Sequence, residues 1–300
     1  MGESRIISGL AALVKGKPSI VKIPGVGEIP ADRIPAIDSA AESYMAKIGR
    51  PGEHVITEYP QHDKDFARRV AGAYDAMKHD PSDPAVRRSY EATLDETMDQ
   101  YRALKDSGID FKFLKDGMAD PYARSPSLGY MDLRDNGRLW VFPTDQGYGT
   151  GADISDNPLL KRVGKVGDLT NATANDAFRV VHDAYGHFGP GNPFFRAPGE
   201  DRAWMNHSRM FSDDALPAMT SETRGQNSWV NYGPHAEANA TASGGDTHYA
   251  DQKAGLANVF GVLLVGIACG SLNRLGVSYG VQFMSLYAAP GIVKVTSLTA

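Results

Sequence analysis

This chain of 300 residues has one cysteine and no excess of basic residues, and both features exclude certain classes of function. Its single cysteine, Cys269, excludes a disulfide within the chain and fits a reducing compartment, so we expect a cytoplasmic protein. Acidic residues outnumber basic ones by 36 to 31, and the net charge is −5. Domains that bind nucleic acid usually carry a basic face. We therefore predict no nucleic-acid partner.

Motifs of several enzyme classes are also missing. No G-x-x-x-x-G-K-[ST] phosphate loop occurs, and the zinc-protease signature H-E-x-x-H is absent. Cys269 lies in an apolar run without the cationic neighbours that would stabilise a thiolate, so we do not expect a cysteine nucleophile.

Long apolar runs are confined to the C-terminal part of the chain. Residues 256–272 contain no charge, and a second mostly apolar stretch reaches Val293. Seventeen residues (272 − 256 + 1) lie at the lower limit for crossing a bilayer, and several glycines weaken the signal. We predict that residues 251–300 form an apolar, Gly-rich tail packed on the protein. Membrane contact by residues 256–293 is the less favoured alternative.

The remainder of the chain divides into an arm and a helical domain. Prolines at positions 18, 24, 30 and 35 disfavour a helix, so residues 1–35 are predicted to form an extended arm with a strand at Ser19 to Ile23. Residues 36–250 are predicted to form a mainly α domain with an α+β architecture. Five of the eight histidines lie between positions 182 and 248, so we expect the chemistry in this segment.

Residue spacing predicts three helices and a small sheet in the first half of that domain. The helices cover residues 38–48, residues 66–77 and a long apolar stripe over residues 86–105 that follows the N-cap Asp83. Alternating residues predict a small sheet or hairpin within residues 109–145, entered through the turn Asp135-Asn136-Gly137. Residues 148–157 are predicted to form a Gly-rich loop, and residues 171–231 to be helical again.

The segment His182-Asp183-Ala184-Tyr185-Gly186-His187 carries the strongest chemical signal. Helical spacing of the apolar residues predicts that His182 projects from a helix. Residues five apart differ by about 140° around an ideal α-helix, so both imidazoles can face one metal only if the helix ends or bends between them. Gly186 supplies the backbone freedom for such a bend. Because imidazole is a common metal ligand, we predict a metal site at His182 and His187.

A carboxylate usually completes a site of two imidazoles. Glu222 is the preferred third ligand, because polar side chains concentrate around it beside Trp229. Glu200 is the alternative, since Glu200, Trp204 and His207 are spaced four and three residues apart on one helix face. A purely structural cluster of histidines is also compatible with the sequence.

The string from His182 to His187 resembles the H-[DE]-x-x-G-H signature of the biopterin-dependent aromatic amino acid hydroxylases. In that family two histidines and a downstream glutamate bind non-haem Fe(II). The resemblance implies that His182, His187 and Glu222, which lies 35 residues further on (222 − 187), form a facial triad with open positions for dioxygen or substrate. It does not extend to a pterin-binding segment, so a pterin cofactor stays open. The motif together with residues 222–231 also looks like uncharacterised phage and mobile-element proteins, which implies host cytoplasm or a virion.

The leading hypothesis is a metal-dependent oxidoreductase, an Fe(II) oxygenase or hydroxylase that acts on a small-molecule or aromatic substrate. Asp183 would brace a ligating histidine, and Arg224 would orient a polar group of the substrate. The predicted substrate pocket consists of Trp204, His207, Gln226, Asn227 and Trp229.

Two alternatives remain open. A zinc hydrolase would use Zn(II) at the same ligands to lower the pKa of a bound water, with Glu200 as general base. A virion-associated or structural protein would use the metal as a folding staple. The oligomeric state is not predicted.

Overall fold

The computed structural model describes residues 19–23, 27–56, 59–147, 155–242 and 246–257. Within these ranges the protein is mainly α-helical, with three small sheets of two strands each. This confirms the predicted mainly α, α+β fold class. Most of the predicted Gly-rich loop and apolar tail lies outside the described residues, and the domain boundaries at residues 35 and 250 stay predictions.

The helices and strands are numbered in chain order. The α-helices are α1 (Pro35–Lys47), α2 (Lys64–Ala76), α3 (Pro84–Lys105), α4 (Ser127–Asn136), α5 (Thr144–Gly147), α6 (Ala174–His182), α7 (Ala197–Ser208), α8 (Leu216–Thr220), α9 (Gln226–Tyr232) and α10 (Ala236–Thr241). The strands are β1 (Ser19–Ile23), β2 (Gly27–Ala31), β3 (Asp110–Phe113), β4 (Arg138–Val141), β5 (Arg162–Val166) and β6 (Leu169–Thr173), and a 3₁₀ turn covers Pro158–Leu160. The first π-segment, Asp183–Phe188, continues α6, and the second π-segment, Ser221–Gly225, continues α8.

Helix α3 begins where its sequence predicts. The Asp83 side chain accepts hydrogen bonds from the backbone N–H groups of Ala85 and Val86, and Pro84 occupies the first helical position. Asp63 caps α2 in the same way. Helix α1 starts three residues before the predicted Asp38, because Pro35 is tolerated in a first turn where its missing N–H has no partner to lose.

The small sheets differ from their predictions in pairing. Strands β3 and β4 were predicted, but they pair in parallel and not as a hairpin. The predicted turn at Asp135-Asn136-Gly137 is wrong, because α4 runs to Asn136 and Gly137 ends it with a left-handed φ of 61°. Strand β1 was predicted, whereas its antiparallel partner β2 was not.

The antiparallel pair of β5 and β6 was also missed. Only the last three residues of β6, 171–173, fall within the segment that was predicted as helical from residue 171. Thr173 then begins α6 with a capping box, in which its hydroxyl accepts from the Asp176 N–H while the Asp176 carboxylate accepts from the Thr173 N–H.

Helix α6 lies in the core and supports the first π-segment. Its residues Ala177, Val180 and Val181 are buried, and α3 packs against it. Helix α7 packs against the first π-segment. The continuous segment formed by α6 and the first π-segment, which carries His182 and His187, therefore packs against α7, which carries Glu200. No helix in the described ranges is long and apolar enough to cross a lipid bilayer.

Candidate metal centre

The first π-segment explains the spacing of the two histidines. Its backbone bonding runs between residues five apart, as in the 2.8 Å bond from the Gly189 N–H to the Ala184 carbonyl. This repeat places residue i+5 above residue i. The rings of His182 and His187 consequently lie on one side, with centroids 5.2 Å apart and planes at 89°. The α-helix therefore ends at His182, as the spacing predicted, and the chain continues to His187 as a π-helix.

Gly186 is required for close packing and not for backbone freedom. Its φ lies outside the left-handed region, and an added Cβ would stand 2.9 Å from the Ala203 carbonyl oxygen of α7 and 3.3 Å from Cε1 of His182. Gly186 therefore does not use the backbone freedom that was predicted for it. The missing side chain allows α7 to approach the first π-segment, and α7 carries Glu200.

His182, His187 and Glu200 form a cluster with the spacing of metal ligands. Each side chain offers one donor atom, and these atoms all lie within 4.8 Å of one another. Nε2 of His187 is 3.4 Å from Oε2 of Glu200. Among the described residues, no other group of three or more histidine, cysteine or acidic side chains meets this criterion.

Glu222, the preferred third ligand of the sequence hypothesis, lies outside this cluster. It is buried on the second π-segment, where the Tyr90 hydroxyl donates to Oε1 and the Gln226 amide donates to Oε2 at 2.6 Å. Burial raises the pKa of this carboxyl to about 7, although the bond from Tyr90 lowers it. The structure thus favours the alternative ligand, Glu200, because both Glu222 oxygens already have partners and only Glu200 reaches the histidines.

A backbone carbonyl orients His187. Its Nδ1 is 3.3 Å from the carbonyl oxygen of Asn192, which can only accept, so Nδ1 carries a hydrogen and Nε2 faces Glu200. The Phe195 ring stacks on the imidazole with a centroid distance of 4.0 Å. Burial lowers the pKa of His187, but the Glu200 and Asp183 carboxylates more than offset this and the pKa is raised overall.

His182 is held by a third histidine. Its Nδ1 lies 3.0 Å from Nδ1 of His207, and the other nitrogen of His207 lies 2.7 Å from Oε1 of Gln100. Burial, together with the neighbouring His207 and His187, holds the pKa of His182 well below its usual range. Burial and the nearby His187 also lower the pKa of His207, to about 3. Both rings are therefore neutral.

Asp183 does not make the bracing contact that was predicted for it. His207 and the Asn192 carbonyl take the second ring nitrogens of His182 and His187. Burial raises the pKa of Asp183 to about 6, His187 lowers it, and the charge of Glu200 raises it again. Asp183 is thus a carboxyl beside the cluster rather than a support for either ring.

Arg224 is turned into the core and not toward the cluster. Its guanidinium lies 4.7 Å from the ring centroid of Phe66 and 4.5 Å from that of Trp204. Its Nε is 3.4 Å from the Asp201 carboxylate, and both partners are buried. These contacts leave Arg224 without the exposed position that its predicted role with a substrate requires.

The residues predicted to line the substrate pocket do not gather at one place. Trp204 donates to Thr220, Trp229 donates to Asp75, Gln226 donates to Glu222 and Gln252, and Asn227 accepts from Asn231. Of the five, only His207 contacts a histidine of the cluster.

Gln100 and Asn192 have roles that the sequence analysis missed. Gln100 interrupts the apolar stripe of α3 and is fully buried, so a polar residue at a core position was an available signal. Asn192 acts through its backbone carbonyl, and because every residue has one, the sequence could not predict this role.

Comparison of the chain with protein-family models, curated proteins and solved structures gives no significant match. The likeness to the aromatic amino acid hydroxylases therefore rests on the histidine motif and stays a prediction.

Proposed function

We propose that the protein is a metal-dependent enzyme in which His182, His187 and Glu200 hold a divalent ion, and that this ion is Fe(II) in an oxygenase or hydroxylase. The observation that supports the proposal is the placement of three donor atoms, from two packed segments, within 4.8 Å of one another. Two imidazoles and one carboxylate are the donor set of non-haem iron sites that keep open positions for substrates.

The residues present fit such an ion. Ligands about 2.1 Å from a metal lie about 3.0–3.4 Å from one another, and the His187 to Glu200 distance of 3.4 Å is already in this range. In the tautomer set by Asn192, neutral His187 turns a lone pair toward the Glu200 carboxylate. Two electron-rich atoms repel unless a cation or a proton lies between them.

The surrounding residues leave one side of the cluster accessible. Phe195 covers the His187 ring, and Phe178 stacks on His182 with planes only 8° apart. The Glu200 side chain is 19% exposed, and Asp183 is half-buried beside it. A bound Fe(II) would supply activation of dioxygen, while the aromatic rings exclude water and Glu200 lies at the side from which a small-molecule substrate enters.

A zinc hydrolase is the second candidate, because the same three side chains also suit Zn(II) and an acid lies next to them. Because we propose Glu200 as a ligand, the role of general base that the sequence analysis gave to Glu200 would pass to Asp183. The identity of the bound metal distinguishes the two candidates.

Metal content tests the proposal directly. Protein purified without oxygen is expected to contain nearly one iron per chain by mass spectrometry, and His182→Ala, His187→Ala and Glu200→Ala are each expected to lose it. Glu222→Ala is expected to retain the metal, and His79→Ala serves as a histidine control, because His79 bonds to Asp156 away from the cluster.

The outcomes separate the hypotheses. Iron would be followed by a screen of small molecules for stimulated oxygen consumption, whereas zinc would favour hydrolysis. Metal loss in Glu222→Ala but not in Glu200→Ala would contradict the ligand assignment. Protein that contains no metal and takes up none would contradict both enzyme proposals, and unfolding by a chelator with no turnover would favour a structural staple.

A further inference from the structure

We infer that Gln100 and His207 are positioning residues that fix the tautomer of His182, so that its Nε2 lone pair faces the proposed metal. This inference rests on the proposed function, since it assigns a task to residues behind one ligand of that site. The three side chains come from α3, α7 and α6 and form a continuous chain of hydrogen bonds that ends on a backbone carbonyl.

The chain begins at the carbonyl oxygen of Met210, which can only accept a hydrogen bond. The Gln100 amide nitrogen lies 3.2 Å from it and must donate, because an amide oxygen could not. This fixes the orientation of the Gln100 side chain. Its Oε1 therefore points to Nε2 of His207, at 2.7 Å, and accepts a hydrogen from it.

The next bond joins His207 to His182. Their Nδ1 atoms are 3.0 Å apart, and a hydrogen bond at that distance needs one donor and one acceptor. Because Nε2 of His207 already carries a hydrogen, a second hydrogen on its Nδ1 would make the ring a cation. His207 is fully buried, and its ring neighbours Phe178, Tyr185 and Phe211 offer no negative charge.

An uncompensated buried cation is costly, so His207 is the acceptor and His182 is the donor. His182 then carries its hydrogen on Nδ1 and keeps the lone pair on Nε2. The neutral imidazole ligates metals through such a lone pair, and the hydrogen bond of the other nitrogen decides which one is available.

Both ligating histidines are thus fixed by backbone carbonyls. His187 reaches the Asn192 carbonyl directly, whereas His182 reaches the Met210 carbonyl through His207 and Gln100. Because the rings of His182 and His187 lie on one side of the chain, with centroids 5.2 Å apart, one orientation serves both rings. We call the chain Met210 carbonyl–Gln100–His207–His182 the relay. Through it, the buried face of α3 fixes the tautomer of a histidine in the cluster.

The tautomers can be measured without any metal by two-dimensional NMR of ¹⁵N-labelled histidine side chains. We expect Nδ1–H for His182 and Nε2–H for His207 in the metal-free protein. His79 is the internal reference, because its Nδ1 accepts from the Ala254 N–H and its hydrogen must be on Nε2. An Nε2–H tautomer of His182 would overturn the inference, whatever the protein binds.

Metal affinity tests the consequence, with Co(II) as the spectroscopic probe. His207→Leu removes the acceptor for the His182 Nδ1–H, and we expect affinity to fall about 10- to 100-fold, as for other residues behind metal ligands. His207→Gln keeps an acceptor and is expected to stay within a few-fold of wild type. Gln100→Met, which frees His207, is expected to fall between them.

Thr97→Val is the matched control on the same buried face of α3. Thr97 is 2% exposed and its hydroxyl has no hydrogen-bond partner within the described chain, so its loss should leave Co(II) affinity unchanged. Thermal unfolding of each metal-free variant separates misfolding from loss of positioning. The His207→Gln rescue keeps the test decisive if His207→Leu fails to fold.

Two failures can be told apart. Wild-type protein that binds neither Co(II), Fe(II) nor Zn(II) would overturn the proposed function. Wild-type binding that disappears in His182→Ala but is unchanged in folded His207→Leu would leave the metal site intact and overturn the relay alone.

Discussion

Adding one methyl group at Gly186 tests how the cluster is assembled. Gly186→Ala would place Cβ 2.9 Å from the Ala203 carbonyl oxygen and 3.3 Å from the Ala203 Cβ, so α7 must move away from the first π-segment. Overpacking of this kind costs about 1–3 kcal/mol. Alanine in a helix regains about 0.5–1 kcal/mol over glycine, so the centres of the two ranges give an expected net loss of about 1 kcal/mol.

Gly72→Ala is the matched control for the helix contribution. Gly72 lies within α2, and an added Cβ would meet nothing within 4 Å. The same substitution should therefore stabilise the protein there by about 0.5–1 kcal/mol. Denaturant unfolding of the metal-free proteins measures both values, and the opposite signs are the expected result.

The same substitution at Gly186 should also weaken the proposed metal site. A shift of α7 withdraws Glu200 from His187, and loss of ligand positioning typically reduces affinity at least about tenfold. Titration with Co(II) measures this, with Gly72→Ala expected to match wild type. Equal stability gains in the two alanine variants, with unchanged affinity, would refute the close-approach explanation of Gly186.

Three further predictions concern groups outside the cluster. The pKa of Glu222 is raised from 4.5 to about 7, so its contribution to stability is complete below about pH 4.5 and is lost as the pH rises through 7. The loss amounts to about 3 kcal/mol, and Glu222→Gln should flatten this part of the unfolding free energy measured against pH. Asp83→Ala removes the N-cap of α3 and should cost about 1 kcal/mol in denaturant unfolding, with no change in metal content. Arg224→Met leaves buried Asp201 without its guanidinium but with His62, 2.5 Å from the same carboxylate, and should cost about 1.5–3 kcal/mol; a raised KM in a variant of normal stability would instead support the substrate role.

Local signals account for most of what the sequence predicts correctly. Asp83 and Pro84 mark the start of α3, and its apolar stripe gives its length, because both depend on neighbours within a few residues. The parallel pairing of β3 with β4 could not be read in the same way. It joins segments separated by α4, and a hairpin fits the same alternation of residues.

The pair of histidines was recognisable from the sequence, but its helical geometry was not. Spacing of five residues suits a π-helix and misaligns the rings in an α-helix, and a sequence pattern alone does not choose between them. Ala203, which Gly186 contacts, belongs to a different helix, α7, so this contact cannot be read from the residues next to Gly186 in the sequence. Gly186 was correctly predicted to matter for the geometry of the two histidines, but its role is close packing against α7 and not conformational freedom.

The choice between Glu200 and Glu222 shows the same limit in chemical terms. Both carboxylates follow the histidines, and both lie in helical segments rich in polar residues. What separates them is competition for their oxygens: Tyr90 and Gln226 occupy those of Glu222, whereas Glu200 faces His187. A buried polar atom can bond only to the groups that pack around it. A carboxylate whose oxygens already accept hydrogen bonds is therefore a poorer candidate ligand than one whose oxygen faces the histidines. Gln100 follows the same rule from the other direction, because an amide buried in an apolar stripe needs polar partners, and packing supplies the Met210 carbonyl for its nitrogen and His207 for its oxygen.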